Sequence, residues 1–319
     1  MTVSVEICAG AGGQALGLEM GGFEHAALVE LESTACATLR LNRPGWKVIE
    51  TDLRTFSGVP YQGVELLAGG VPCPPFSIAG KKLGGQDERD LFPAAIRLVD
   101  EIRPQAVMLE NVRGLLAPAF LDYRQGVSSE LDALGYAVEW RLLNASDFGV
   151  SQLRPRVICV AVRKSLSRFF TWPQPHAELP MPVGELLYDL MASRGWDGAS
   201  RWRELASGIA PTLVGGSKKH GGPDLGPTRA RLAWAALGVD GLGISDMPPA
   251  PDFVGLPKLT VRMAARVQGF PDDWQFFGKK TAAYRQVGNA FPPPVAAAVA
   301  RQIRVCLEAA ASRKLKKVA

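Results

Sequence analysis

Short apolar runs alternate with amphipathic stretches through the first half of the chain. No other feature restricts the fold as much. Residues 3–7, 26–31, 48–49, 64–68, 106–109, 138–143 and 157–162 read as strands. Between them, 14–20, 34–41, 91–102 and 128–134 read as helices, the first closed by Gly21 and Gly22, the second opened by Ser33 as a cap and the last closed by Gly135. Strands separated by helices argue for an α/β domain with a mostly parallel, doubly wound sheet. The texture changes after Arg163. From 165 to 258 glycines and prolines are frequent, strands are hard to find, and nine basic residues balance nine acidic ones. That stretch reads as a separate, loop-rich module. Helical patterning returns at 261–267, and 295–311 reads as a long alanine-rich helix. The expected division is 1–164 for a large domain, 165–275 for a small one, and 276–319 for a segment returning to the first, with a basic tail from about 312.

At 319 residues and 47% hydrophobic, the chain has the makings of one large and one smaller domain. No apolar run approaches the ~20 residues of a membrane span, and the first ten residues lack the basic and apolar segments of a signal peptide. Five scattered cysteines without a CxxC pair disfavour disulfide frameworks and zinc sites, and point to a reducing cytoplasm. The net charge of +5 owes four units to Arg313, Lys314, Lys316 and Lys317, so charge by itself is weak support for a polyanionic partner.

Three places carry chemistry. The first is "VEICAGAGGQALGLEMGGF", where Gly10, Gly12 and Gly13 join the first strand to the first helix. Glycines there permit a tight turn and close approach of a ligand to the helix N-terminus. The spacing is GxGG, so the dinucleotide fingerprint GxGxxG is not met. Glu30 ends the second strand, where an acidic residue commonly accepts hydrogen bonds from a ribose. Asp52, after the third strand, is placed to meet an adenine amino group. An adenosyl ligand without a pyrophosphate fits, and S-adenosylmethionine is the candidate. The second place is "GGVPCPPFSIAGKKLG", where Cys73 stands between Pro72 and Pro74-Pro75 just past the fourth strand. Prolines fix φ and restrict their neighbours, so this thiol is held in one direction. Cys36, Cys159 and Cys306 sit in apolar runs and read as core. The third place joins "MLENVRGL", which delivers Glu110 and Asn111 to a strand end, with "SQLRPRVICVAV". Arg154 and Arg156 there share one face of an extended segment and can clamp an anion or a polarised carbonyl. A thiol nucleophile, a proton-donating carboxyl, a guanidinium and an adenosyl site together suit nucleophile-assisted methylation at carbon 5 of cytosine.

With those motifs in hand, the chain resembles the cytosine-5 DNA methyltransferases of bacterial restriction–modification systems. "EICAGAGGQALGLEMGGF", "VELE", "TDL", "GGVPCPPFSIAGKKLG", "DERDLF", "MLENVRGL", "LNASDFGVSQLRPR", "RMAARVQGFPDDW" and "AYRQVGNAFPPPVAAAVA" stand in the family's order across most of 4–163 and 260–303. The resemblance implies a Rossmann-like S-adenosylmethionine-dependent methyltransferase fold with a smaller target-recognition domain. It implies Cys73 as nucleophile, Glu110 engaging ring nitrogen 3 and the amino group of the base, and Arg156 contacting the base carbonyl, with Arg154 beside it. It implies a cofactor site of Cys8, Gly10, Ala11, Gly12, Gly13, Glu30, Leu31, Asp52, Leu53, Leu91, Asn289 and Ala290. Arg262 and Gln268 fall in the motif that supports the recognition module. Two departures stand out. Cys8 replaces the usual phenylalanine that lies against the cofactor, and Leu31 replaces an often aromatic residue.

For the variable module the resemblance extends only to Thr212-Leu213, in "APTLVGGSKKHGG". Around that pair, Lys218, Lys219, His220, Arg229 and Arg231 form a candidate major-groove surface. Residues 76–88, including Ser77, Lys81 and Lys82, are the candidate loop that closes over a flipped base. His25 and His176 are expected to have no catalytic duty. Double-stranded DNA is the implied partner, with a cognate restriction endonuclease acting on the same site, no membrane, and a monomeric enzyme. Two alternatives remain open here: a transfer-RNA methyltransferase of the same family, and a catalytically silent DNA-binding regulator.

Overall fold

The computed structural model describes residues 2–72, 90–215 and 223–318, with side chains described as far as 313. Cys73, Ser77, Lys81, Lys82, Lys218, Lys219 and His220, and the candidate loop 76–88, lie outside the described residues.

In chain order the elements are β1 (Thr2–Ile7), α1 (Gly13–Met20), β2 (Phe23–Glu30), α2 (Ser33–Asn42), β3 (Val48–Glu50), β4 (Leu66–Gly70), α3 (Phe92–Ile102), β5 (Ala106–Val112), α4 (Leu121–Ala133), β6 (Tyr136–Asn144), β7 (Gln152–Leu153), β8 (Pro155–Arg163), α5 (Val183–Ala192), α6 (Ala199–Leu205), β9 (Ala210–Pro211), α7 (Thr228–Ala236), α8 (Val261–Val267), α9 (Lys280–Asn289) and α10 (Pro293–Val318). A seven-stranded sheet runs β3-β2-β1-β4-β5-β8-β6. Its first five strands are parallel, and β8 is antiparallel to both β5 and β6. The expected α/β class with a mostly parallel sheet is what the chain forms.

Topology places the site. The chain order reverses between β1 and β4, and in open α/β sheets ligands bind at such a crevice, outside the carboxyl ends of the strands. Register aligns those ends: Ile7 pairs with Val29 and with Gly69, and Gly70 pairs with Glu110. Because β8 is antiparallel, its first residues arrive at the same edge, with Arg156 opposite Val112.

One sheet face is covered by α3 and α4, around Val5, Ile7, Leu67, Phe92, Leu98, Val107 and Leu131. The other is covered by α1 and α10, around Leu18, Met108, Ile158, Val160, Ala296, Val299 and Ile303. The alanines of α10 serve close packing: a Cβ on Gly17 of α1 would lie 2.4 Å from the Ala296 methyl, and one on Gly21, which follows α1, 2.5 Å from the Ala300 methyl. A third apolar cluster joins Val183, Leu187, Trp202, Trp234, Met263, Phe270, Trp274 and Val287.

Several local expectations are corrected. Ser33 is the first helical residue of α2, after Glu32, and makes no cap hydrogen bond. The fourth strand starts at Leu66. Helix α4 begins at Leu121, seven residues earlier than expected, because only Val127 and Leu131 are buried and the apolar period is faint. Among its described residues, the proline- and glycine-rich stretch contains the α-helices α5 to α7. The basic tail continues α10 as helix to Val318.

Candidate active site

A cavity of about 670 Å³ opens at the switch point. Its walls include Cys8, Gly10, Ala11, Gly13, Glu30, Gly70, Pro72, Glu110, Asn289, Ala290 and Phe291. The turn that frames it needs glycine. Gly10 and Gly12 have φ of +54° and +87°, in the left-handed region, and a Cβ on Gly13 would lie 2.2 Å from the Phe291 carbonyl oxygen. Around Gly10 an added Cβ would meet nothing within 4 Å, so the turn faces open space there. Cys8, at φ +51°, shares this strained exit from β1.

Glu30 fixes the far wall. One carboxylate oxygen accepts from Gly10 N at 2.7 Å, and the other accepts from Leu31 N and Glu32 N at 2.8 Å each. Three backbone donors hold its orientation, leaving lone pairs toward the cavity. Further polar residues missed in the sequence line the wall, Glu6 and Gln14 among them. Glu6 is fully buried, and both its oxygens lack a hydrogen-bond partner among the described residues; so do both amide atoms of Gln14. Burial, with Glu30 next, pushes the Glu6 carboxyl well above its usual range. The signal was period two in β1: Ser4 and Glu6 occupy one face, Val5 and Ile7 the other. Unfilled polar atoms in a cavity of this size fit a polar ligand bearing hydroxyls and an amino acid, as S-adenosylmethionine does.

Other expected cofactor residues stand outside the wall. The Asp52 carboxylate is engaged by Arg54 at 2.5 Å, which holds its pKa down at about 2. Leu53 is core, Leu91 packs against the α3 side, and Leu31 is 61% exposed.

At the mouth, Arg156 Nε donates to Glu110 Oε1 at 2.7 Å, with each side chain only 12% exposed. Burial pushes the Glu110 carboxyl up, partly offset by Arg156; burial likewise pulls the Arg156 guanidinium down. Next to Glu110, Asn111 Nδ2 donates to the Val71 carbonyl at 2.8 Å, and Leu91 N donates to the Pro72 carbonyl at 3.3 Å. The chain on both sides of 73–89 is therefore anchored beside the carboxyl–guanidinium pair.

Arg154 does something else, and its expected role as an anion clamp is corrected. It is 1% exposed. It donates to the carbonyls of Leu213 at 2.7 Å, Gly288 at 2.8 Å and Ala290 at 3.0 Å. Gln152 donates to the Val267 carbonyl at 3.2 Å and accepts from Leu213 N at 2.9 Å, and Gln268 also donates to the Ala290 carbonyl. The two residues thus tie β7, the segment after β9, α8 and the α9–α10 junction together. Replacing Arg154 with methionine leaves buried acceptors unsatisfied, at ~1–3 kcal/mol for each such group. A stability loss of about 3 kcal/mol is expected by chemical denaturation, whereas Arg156→Met is expected to lose activity with a much smaller change in midpoint. Equal losses of stability in the two variants would refute this division of labour.

Of the expected DNA-contact residues, Leu213 is corrected: it is buried, with its N–H and carbonyl both engaged. The Thr212 hydroxyl donates to the Leu153 carbonyl at 2.5 Å. Arg229 and Arg231 project from α7, Arg229 exposed and Arg231 donating to the Thr228 hydroxyl at 3.2 Å. His25 is half-buried, its pKa pulled down by desolvation to about 4, so its ring is neutral near pH 7. Among the described residues, no helix is long and apolar enough to cross a membrane.

Comparison with known proteins shows the family. The family described as C-5 cytosine-specific DNA methylase matches residues 2–213 and 251–305. Type II methyltransferase M.NgoMIV of Neisseria gonorrhoeae is 59% identical over 303 residues, covering 94% of this chain and 96% of that protein. Type II methyltransferase M.NaeI of Lentzea aerocolonigenes is 58% identical over 309 residues, covering 95% and 75%. Among solved structures, a putative DNA modification methyltransferase encoded within an Escherichia coli prophage superposes with a TM-score of 0.69 at 22% identity, covering 97% of this chain and all of that one, a likeness that speaks for the fold. The chain belongs to the C-5 cytosine-specific DNA methylase family, and its activity is methyl transfer from S-adenosylmethionine to carbon 5 of cytosine in DNA.

Proposed function

We propose that the chain is the modification enzyme of a Type II restriction–modification pair, methylating one cytosine in a short duplex sequence that a cognate endonuclease would otherwise cut. Its similarity to Type II methyltransferases supports this reading. It works as a monomer in the bacterial cytoplasm, on chromosomal DNA. Residues 1–164 form the catalytic domain, 165–275 the target-recognition domain, and 276–319 return to the catalytic domain. The apolar cluster that runs from Val183 to Ala290 supports a second unit, although it also takes in Leu16 of α1 and extends into α9.

The Glu110–Arg156 pair carries the mechanism, because Glu110 stands with Pro72 on the wall of the cofactor cavity and Arg156 holds its carboxylate. A cytosine flipped out of the stack enters there, at a cost of a few kcal/mol. The Cys73 thiolate bonds to carbon 6 of the ring while a proton passes from Glu110 to ring nitrogen 3. Arg156 holds the carboxyl and the base carbonyl. Carbon 5, now the nucleophilic end of an enamine, takes the methyl group. A base removes the proton from carbon 5, the Sγ–C6 bond breaks with its electron pair leaving on sulfur as thiolate, and the proton on ring nitrogen 3 returns to the Glu110 carboxylate. S-adenosylmethionine, when bound, supplies the electrophilic methyl on a sulfonium. Glu30, Gly10 and Asn289 orient that donor, Glu30 by way of the ribose.

Bisulfite sequencing of DNA from cells expressing the chain reads activity and target together. The expected result is protected cytosines at one position of a single short duplex motif. Uniform conversion of every cytosine would overturn the proposal.

A further inference from the structure

Trp274 sits in the turn after α8, 263 residues from the backbone atom it contacts. Its indole Nε1 donates to the carbonyl of Ala11 at 3.2 Å, in the middle of the glycine turn. The ring is 1% exposed. A Cβ on Gly12 would lie 2.8 Å from Trp274 Cζ2 and 2.7 Å from Leu39 Cδ2, so ring, leucine and turn touch without slack. The Arg43 guanidinium lies 5.3 Å from the ring centroid and is anchored by Glu19 at 2.8 Å. Trp46 stands 6.1 Å away, ring to ring. On the other side, Arg262 fixes the turn that carries Trp274, donating to the Pro271 carbonyl at 2.8 Å and to the carbonyl of Trp274 itself.

We propose that Trp274 is a positioning residue for the cofactor: it holds the Ala11 carbonyl so that the turn from Gly10 to Gly13 keeps the shape that receives the adenosyl ligand. The turn has two left-handed glycines, a residue type free to take many other conformations, so an outside hold selects this one. Glu30 supplies one hold, through Gly10 N, from the cavity side. Trp274 supplies the opposite one, from behind. It does not line the cavity, so it acts through the turn and not by touching the ligand. The inference rests on this cavity being the S-adenosylmethionine site. It places the end of the recognition stretch, at 275, in mechanical contact with the cofactor turn.

The test is calorimetric titration of the purified full chain with S-adenosylhomocysteine, without DNA. Trp274→Phe keeps an aromatic ring and removes the donor; a net hydrogen bond of ~1 kcal/mol corresponds to about five- to tenfold weaker binding. The KM for S-adenosylmethionine is expected to rise in parallel, with kcat at saturation nearly unchanged. Trp46→Phe, an indole lost from the same stack that makes no hydrogen bond to the turn among the described residues, is the control and is expected to bind within twofold of the parent chain. Unchanged affinity in Trp274→Phe overturns the proposal. So does equal weakening in both variants, which would mean general loosening of the stack. If Trp274→Phe does not fold, Arg262→Met decides: it is expected to weaken binding about two- to threefold through the same turn, and unchanged binding overturns the proposal. Failure of the parent chain itself to bind S-adenosylhomocysteine would be a failure of the cofactor assignment instead.

Discussion

Replacing Cys73 with alanine is expected to abolish methyl transfer, by on the order of 10⁴-fold or more, while S-adenosylhomocysteine still binds within about twofold. The elimination is chemical. A thiol attacks only as thiolate. Burial pushes the thiols of Cys8, Cys36, Cys159 and Cys306 above their ordinary range, Cys36 to about 12. None of these four supplies an appreciable thiolate near neutral pH. Cys73 is the remaining cysteine of five, and the backbone leading to it is pinned by Asn111 at Val71 and by Leu91 at Pro72. Removing Sγ takes away the bond to carbon 6, without which carbon 5 is not nucleophilic, yet leaves the Glu30 and glycine-turn contacts intact. Methyl transfer from labelled S-adenosylmethionine to plasmid DNA measures the first quantity and calorimetry the second. An oligonucleotide carrying 5-fluorocytosine in the target should trap a denaturation-resistant adduct with the parent chain and none with the variant. Near-normal turnover by the alanine variant would sink the nucleophile assignment.

The parts of the site legible in the sequence were those where chemistry coincides with a strand end. Glu30, Glu110 and the glycine turn follow apolar runs, and the parallel sheet brings those runs' carboxyl ends to one edge. Arg154 misled because alternation along an extended segment predicts which side residues share, not what waits there. Three backbone carbonyls from distant segments were waiting, and nothing local announces them. The same holds for Trp274, whose partner is 263 positions away. Leu213 is expected at the DNA because the Thr212-Leu213 pair resembles the family's recognition-domain pair, but its apolar side chain goes to the core cluster with Trp234 and Tyr284. The helices α5 to α7 were hidden by their setting. They are short, 10, 7 and 9 residues, and separated by proline- and glycine-rich turns, so each gives fewer than three periods of apolar patterning.

Changing Glu110 to glutamine is expected to lower kcat by about 10²–10⁴-fold while leaving cofactor affinity unchanged, and to reshape the pH profile. Glutamine preserves the pattern of contacts to the base: its amide nitrogen donates toward ring nitrogen 3 and its oxygen accepts from the exocyclic amino group. It lacks a proton to transfer, so the variant separates holding the base from activating it. The environment sets the sign in the parent enzyme. Burial at the cavity wall raises the Glu110 carboxyl pKa, and Arg156 at 2.7 Å only partly offsets it. The protonated form therefore persists to higher pH than for a free carboxyl, and activity should fall as pH rises through that raised value. On the acid side, activity should fall as the Cys73 thiolate is protonated. An amide does not titrate, so the variant should keep the acid limb and lose the alkaline one. Single-turnover rates across the pH range, with saturating DNA and cofactor, read both limbs. An unchanged alkaline limb in the glutamine variant would assign that ionisation to another group, and a rate equal to the parent enzyme's would remove Glu110 from the chemistry altogether.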